Sequence, residues 1–198
     1  MSFNIEDFKA RGLLNSGARP SLFQVILTDW PGSTPEATNR FSFLAKASQI
    51  PPSIIGQIDV PYFGRSIKVM GDRTYPNWNV TVYNDVDFLV RETMETWHQG
   101  INQHIENVTS GDVTPKQTSY KRDAIVQQLG KDGEVLKEYT IKGMFPIQID
   151  AIALDWEAAN QIELFDVDFS IDYWLPNAET GASEASSFPE GSRNIAIE

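Results

Sequence analysis

Apolar positions along this chain recur mostly with the period of two that marks strands. Ser21 to Thr28 (SLFQVILT) is aromatic and β-branched enough to predict a first strand, and Phe41 to Ala47 (FSFLAKA) predicts a second, with a Pro/Gly loop at 31–35 between them. Ser53 to Val69 reads as extended chain interrupted at Pro61 and Gly64, and Gly71-Asp72-Arg73-Thr74 as a turn. Asn77 to Asn84 alternates cleanly, with Trp78, Val80 and Val82 on one face. Tyr120 to Leu129 and Glu134 to Lys142 form a hairpin around Lys131-Asp132-Gly133, followed by extended chain with bends from Gly143 to Trp156. In Gln161 to Leu175 the odd positions Phe165, Val167, Phe169, Ile171 and Tyr173 face a core. The even positions of the same stretch include Asp166, Asp168 and Asp172.

A second period appears once. Val90, Met94, Trp97 and Ile101 are spaced for one face of a helix, and Asp85 or Asp87 is placed to cap it. The opening stretch to Gly17 predicts a short amphipathic helix, and the polar residues 107–119 a long loop. After Pro176 the chain turns small and polar, which predicts a flexible extension over 176–198 beyond a domain spanning 1–175. Within it, Asn194 to Glu198 has the pattern to add a short strand to a neighbour. The fold class expected is mainly β, a sandwich or partly closed barrel with one flanking helix.

Composition narrows the function. The 198 residues suffice for a self-supporting core. The formal charge of −11 argues against a duplex-binding protein, since affinity for nucleic acid comes largely from cations that neutralise phosphates. With no cysteine there is no disulfide scaffold, thiolate metal site or thiol nucleophile. No apolar run has the length of a membrane span, and the acidic N-terminal stretch does not read as a secretory signal. His98 and His104 lack ligand-pair spacing, and neither a G-x-S-x-G elbow nor a P-loop is present. Capping accounts for Asp85 and Asp87. Asp166, Asp168 and Asp172 read as a solvated face, a purposeful acidic surface or, least favoured, a metal site. The tryptophans at 30, 78, 97, 156 and 174 read as core packing rather than a sugar platform. Neither an enzyme nor a cofactor is expected.

Six segments, in order, carry a resemblance: Ala18 to Val25 (ARPSLFQV), Gly71 to Asp85 (GDRTYPNWNVTVYND), Tyr120 to Gln127 (YKRDAIVQ), Ile141 to Pro146 (IKGMFP), Leu154 to Trp156 (LDW) and Gln161 to Trp174 (QIELFDVDFSIDYW). Together they resemble the tail tube (inner tube) proteins of contractile-tailed bacteriophages. The resemblance implies a β-barrel or sandwich subunit of hexameric rings stacked into a hollow tube in the virion tail. Its partners would be further copies of itself, the sheath, a tape-measure protein, and the baseplate and terminator proteins. Genomic DNA would pass through without specific binding, and the chain would be made in the host bacterial cytoplasm. A tube subunit of a secretion or toxin-injection machine is the alternative, and a monomeric ligand-binding β-sandwich a more distant one.

In that setting the Pro-rich stretch 50–74 is a poor core segment, expected to form a long protruding hairpin. Ile54, Ile55, Ile58, Val60 and Tyr62 are expected to be buried only by a neighbouring subunit or ring; a hairpin folded back on its own domain is the competing possibility. Asp166, Asp168 and Asp172 are candidates for a channel wall that repels phosphate, or for an outer face that meets the sheath.

Overall fold

The computed structural model describes residues 17–27, 29–109 and 120–177. The expected N-terminal helix, most of the 107–119 loop and the 178–198 extension lie outside these residues.

The element order is β1 (Phe23–Leu27), α1 (Pro35–Leu44), β2 (Ala45–Ser48), β3 (Ile54–Tyr62), β4 (Arg65–Thr74), β5 (Trp78–Tyr83), α2 (Leu89–Ile101), β6 (Arg122–Leu129), β7 (Val135–Ile149), β8 (Leu164–Ser170) and β9 (Tyr173–Asn177). Seven strands form one antiparallel sheet in the order β1-β6-β7-β8-β5-β2, with β9 paired to β7; β3 and β4 form a separate two-stranded sheet. The mainly β expectation holds, and two helices accompany the strands.

β7 organises the sheet. Its first half pairs with β9 (Lys142↔Tyr173) and its second half with β8 (Phe145↔Ser170). β8 and β9 are therefore one path broken at Ile171-Asp172, opposite the point where β7 turns through Gly143 (φ +66°). The single strand expected over Gln161 to Leu175 is two strands meeting at a corner. Phe165, Val167, Phe169 and Ile171 are buried as expected; past the break Tyr173 is exposed. Pairing continues to Asn177, two residues beyond the expected domain boundary.

The core follows the strand alternation. Val25 and Leu27 of β1, Trp78, Val80 and Val82 of β5, and Phe165, Val167 and Phe169 of β8 are buried, together with Ala124, Val126, Ile141 and Met144. The second helix, α2, buries Val90, Met94 and Trp97 as its stripe predicts. The Trp97 ring meets Phe169 at 6.1 Å, and its Nε1 donates to the Tyr120 carbonyl at 2.8 Å.

Residues 35–44 are helical, where a strand had been expected from Phe41 onward. Thr34 caps α1 by accepting from the Ala37 N–H at 3.1 Å, and Pro35 sits at the first helical turn, where it costs no hydrogen bond. Ala37 and Phe41, one turn apart, are the buried face, and Phe41 lies edge-on to Trp30 at 5.8 Å. Only Ala45 to Ser48 forms the strand β2. Among the described residues no helix is long and apolar enough to cross a membrane.

Candidate assembly surface

β3 and β4 make an antiparallel hairpin of nine and ten residues that pairs with no other strand. At about 3.3 Å per residue it reaches about 30 Å. Every residue of β3 is exposed. The turn is Phe63-Gly64, both at positive φ (41° and 79°), the two-residue geometry that matches strand twist. Gly64 adopts it freely; Phe63 does so while presenting its ring to solvent, 92% exposed.

Register places the apolar residues on faces. Ile58 pairs with Val69, Val60 with Ile67 and Ile54 with Thr74, so Ile54, Ile58, Val60, Tyr62, Ile67 and Val69 share one side. Ile55, paired with Arg73, points the other way, with Gln57, Asp59 and Met70. The group of five expected to act together thus divides into four and one.

Gly71 to Thr74, expected to be a turn, continues β4. The register shifts between Ile55 and Gln57, and Gly56 and Gly71 cross there backbone against backbone. A Cβ on Gly71 would stand 3.0 Å from the Gly56 carbonyl carbon. The glycines therefore permit a bulge rather than a reversal.

Two indoles fix the hairpin root: Trp78 Nε1 donates to the Gln49 carbonyl at 2.8 Å, and Trp174 Nε1 to the Pro52 carbonyl at 3.1 Å. Beyond this anchorage an isolated two-stranded ribbon is marginal in water. Its six apolar side chains on one face are each about half exposed. Covering them is worth about 1 kcal/mol each, so about 5–8 kcal/mol before the cost of association.

The three carboxylates differ in their partners. Asp166 and Asp168 lie on the outward side of β8, opposite Thr81 and Asn79 of β5. Asn79 Nδ2 donates to Asp168 Oδ1 at 2.7 Å, whereas Asp166 Oδ1 is buried with no hydrogen-bond partner among the described residues. Asp172 belongs to the corner. Both its oxygens accept from Lys121 Nζ at 2.7 Å, its backbone N–H donates to the Lys142 carbonyl at 3.1 Å, and it lies over Gly143.

Neither Asp85 nor Asp87 occupies the helix cap position, although Asp87 Oδ1 accepts from the first helical N–H, that of Leu89, at 3.5 Å. Phe88 occupies that position at φ +55° with no side-chain cap. Both aspartates instead accept from Arg40 Nη1, at 2.6 and 2.7 Å, while Glu36 accepts from Nη2 at 2.5 Å. The bond to Glu36, with the attraction of Asp87, holds the guanidinium above its ordinary pKa. This junction of α1 with the β5–α2 turn went unread because α1 itself was not anticipated. Trp30, Trp78 and Trp97 are core as expected, but Trp156 is fully exposed. His98 and His104 stand at the end of α2, and no metal-holding group of His, Asp and Glu occurs among the described residues.

A packed β core carries an apolar, solvent-exposed hairpin that adds nothing to that core. The model of the phage tail tube protein family matches residues 18–177, and the chain belongs to that family. It is 36% identical over 158 residues to tail tube protein gp19 of Enterobacteria phage T4, spanning 79% of this chain and 90% of that one. Similar folds occur in the anti-feeding prophage baseplate (TM-score 0.59, 7% identity, covering 83% of this chain and 97% of that one) and in the sheath–tube complex of an extracellular contractile injection system (TM-score 0.54, 14% identity, 89% and 99%). The protein is a structural tail tube subunit of a contractile phage tail, in a family without enzymatic activity.

Proposed function

We propose that copies of this chain close into hexameric rings that stack into a hollow tube, with the β3–β4 hairpin as the element that joins subunits. The observation that carries this reading is the hairpin itself: an exposed apolar face, rigidly rooted, which contributes nothing to its own core. A heterologous contact of this kind closes into a ring when its rotation divides the circle. Ile54, Ile58, Val60 and Tyr62 are buried by the neighbouring subunit, and Ile55 faces the opposite side of the joint. The tube sits inside a sheath in the virion tail, is filled by a tape-measure protein before ejection, and is bounded by baseplate and terminator proteins. The chain is made in the host bacterial cytoplasm.

Asp166 and Asp168 line the channel in this reading. Carboxylates there repel phosphate and deny the genome the multisite cation contacts that would stall it. Asp172, held by Lys121, serves the subunit corner instead.

Negative-stain electron microscopy of concentrated protein tests the reading, alongside a variant lacking 57–70 in which Gly56 joins Gly71. The intact chain is expected to form tubes with six-fold end views, and the shortened chain to remain folded and unassembled. Intact protein that stays monomeric even when seeded with baseplates would overturn the tube; a shortened chain that assembles normally would overturn the role of the hairpin.

A further inference from the structure

The two ends of the sheet differ in shape and in charge. The hairpin enters β5 beside Trp78, which pairs with Phe169 at the far end of β8. The 150–163 connection from β7 to β8 leaves at Ile149, opposite Val167, and returns at Leu164, opposite Tyr83. Hairpin and connection therefore project from opposite ends of the same strands.

The connection is built to receive something. It is anchored at its ends, where the Asp150 N–H donates to the Asp166 carbonyl and the Asn84 N–H to the Glu163 carbonyl, both at 2.9 Å. Between these points it forms a surface hollow of about 420 Å³, whose lining includes Ile152, Leu154, Trp156 and Ile162. Leu154, Trp156 and Ile162 are 80%, 104% and 67% exposed, an apolar concentration that a free surface does not need. Its charges are all negative: Asp150, Asp155, Glu157 and Glu163, with no Lys or Arg between 150 and 163.

The hairpin is its complement. From Ile54 to Thr74 it carries Arg65, Lys68 and Arg73 against Asp59 and Asp72, in a chain that is otherwise strongly acidic. Its tip is an aromatic knob: Tyr62 and Phe63 stack edge-on at 4.7 Å, with Arg65 beside them. A knob at one end and a hollow at the other, opposite in charge, are the two halves of a head-to-tail contact.

We infer that the 150–163 connection is the receptor for the hairpin tip of a second copy in the adjacent ring, with Phe63 entering the hollow beside Trp156 and Arg65 meeting Asp155 and Glu157. This rests on the stacked-tube reading above and names the surface that the hairpin meets. It also gives the stack polarity, since a hairpin end finds no receptor on another hairpin end.

The absence of cysteine from the chain supplies the test. A Phe63→Cys/Trp156→Cys variant, assembled and then oxidised, is expected to run as a ladder of disulfide-linked multimers under denaturing, non-reducing conditions. The ladder arises because each chain offers one donor and one acceptor. A Phe63→Cys/Lys131→Cys control is expected to give no ladder. In parallel, Arg65→Glu and Asp155→Arg are each expected to raise the critical concentration for assembly about fivefold, with recovery when combined. Tubes that form from the first variant without a ladder, or single charge variants that assemble like the parent, would overturn the receptor assignment. Such a result leaves the hairpin's role standing, because that role is judged separately by the 57–70 deletion. If the sheath protein protects Trp156→Cys from alkylation while bare tubes do not, the hollow belongs to the sheath and the inference fails.

Discussion

Replacing Gly143 with alanine probes the corner on which both halves of the sheet turn. Gly143 sits at φ +66°, where an L side chain costs about 1–2 kcal/mol. Its new Cβ would stand 2.1 Å from Asp172 Oδ2 and 2.7 Å from Cγ, so the carboxylate must leave. Departure breaks the Lys121 pair, worth about 0–1 kcal/mol at this exposure, and strains the Asp172 N–H bond to the Lys142 carbonyl, worth about 1 kcal/mol. Together these predict a loss of about 2–4 kcal/mol. Urea unfolding of the soluble subunit, followed by tryptophan fluorescence, measures it. The decisive comparison is the same substitution made together with Asp172→Ala. With the carboxylate gone the backbone cost and a 3.1 Å contact with the Cβ at 172 remain, so Gly143→Ala should then cost about 1–2 kcal/mol. Equal costs in the two backgrounds would refute the collision. A cost below about 0.5 kcal/mol in either, the range of ordinary surface substitutions, would refute the left-handed corner itself.

Other elements yield to simpler measurements. Thr34→Ala removes the cap of α1 and should lower stability by about 1 kcal/mol, read as a lower urea midpoint at unchanged m. Arg40→Met leaves Glu36, Asp85 and Asp87 facing one another, so its melting temperature should fall at low ionic strength and recover as salt screens the carboxylates; a salt-independent loss would point to packing instead. The Lys142 amine is held above its ordinary value by its hydrogen bond to Asp123, with desolvation opposing and attraction to Asp123 assisting. A raised folded-state pKa adds stability that is complete below the unfolded value, 10.5, and disappears as pH climbs through the folded one. Lys142→Gln should therefore flatten the loss of stability above pH 10.5; an unchanged alkaline slope would assign that loss elsewhere.

The sequence was most legible where one periodicity governed an unbroken element. β5 and the helical stripe of α2 announced their buried faces because each packs one side on a common core. The hairpin was legible through its misfit: apolar residues beside Pro61 and Gly64 suit neither a core strand nor a solvated loop. Legibility failed where distant chain decides the outcome. The helix at 35–44 buries only Ala37 and Phe41, too few positions for a visible stripe, and its Thr34-Pro35 start was read as loop composition. Gly71-Asp72 has turn chemistry, but the partner that makes it a bulge lies on the other strand at Gly56. The alternation that buries Phe165, Val167, Phe169 and Ile171 fails at Tyr173, because nothing local marks the step from β8 to β9. Trp156 was taken for core on the same composition as its buried counterparts; only its position on an end-of-sheet connection distinguishes it.

β7 is hydrogen-bonded to β6, β8 and β9, so the two halves of the sheet are joined through this one strand. Peeling either half from β7 exposes the core that both halves share, Ile141 and Met144 among it, and the subunit has no half-open state at low cost. In hydrogen exchange the two halves should lose protection at one common rate. A wall made of such subunits yields brick by brick, each intact or lost, and does not soften into a leaking one.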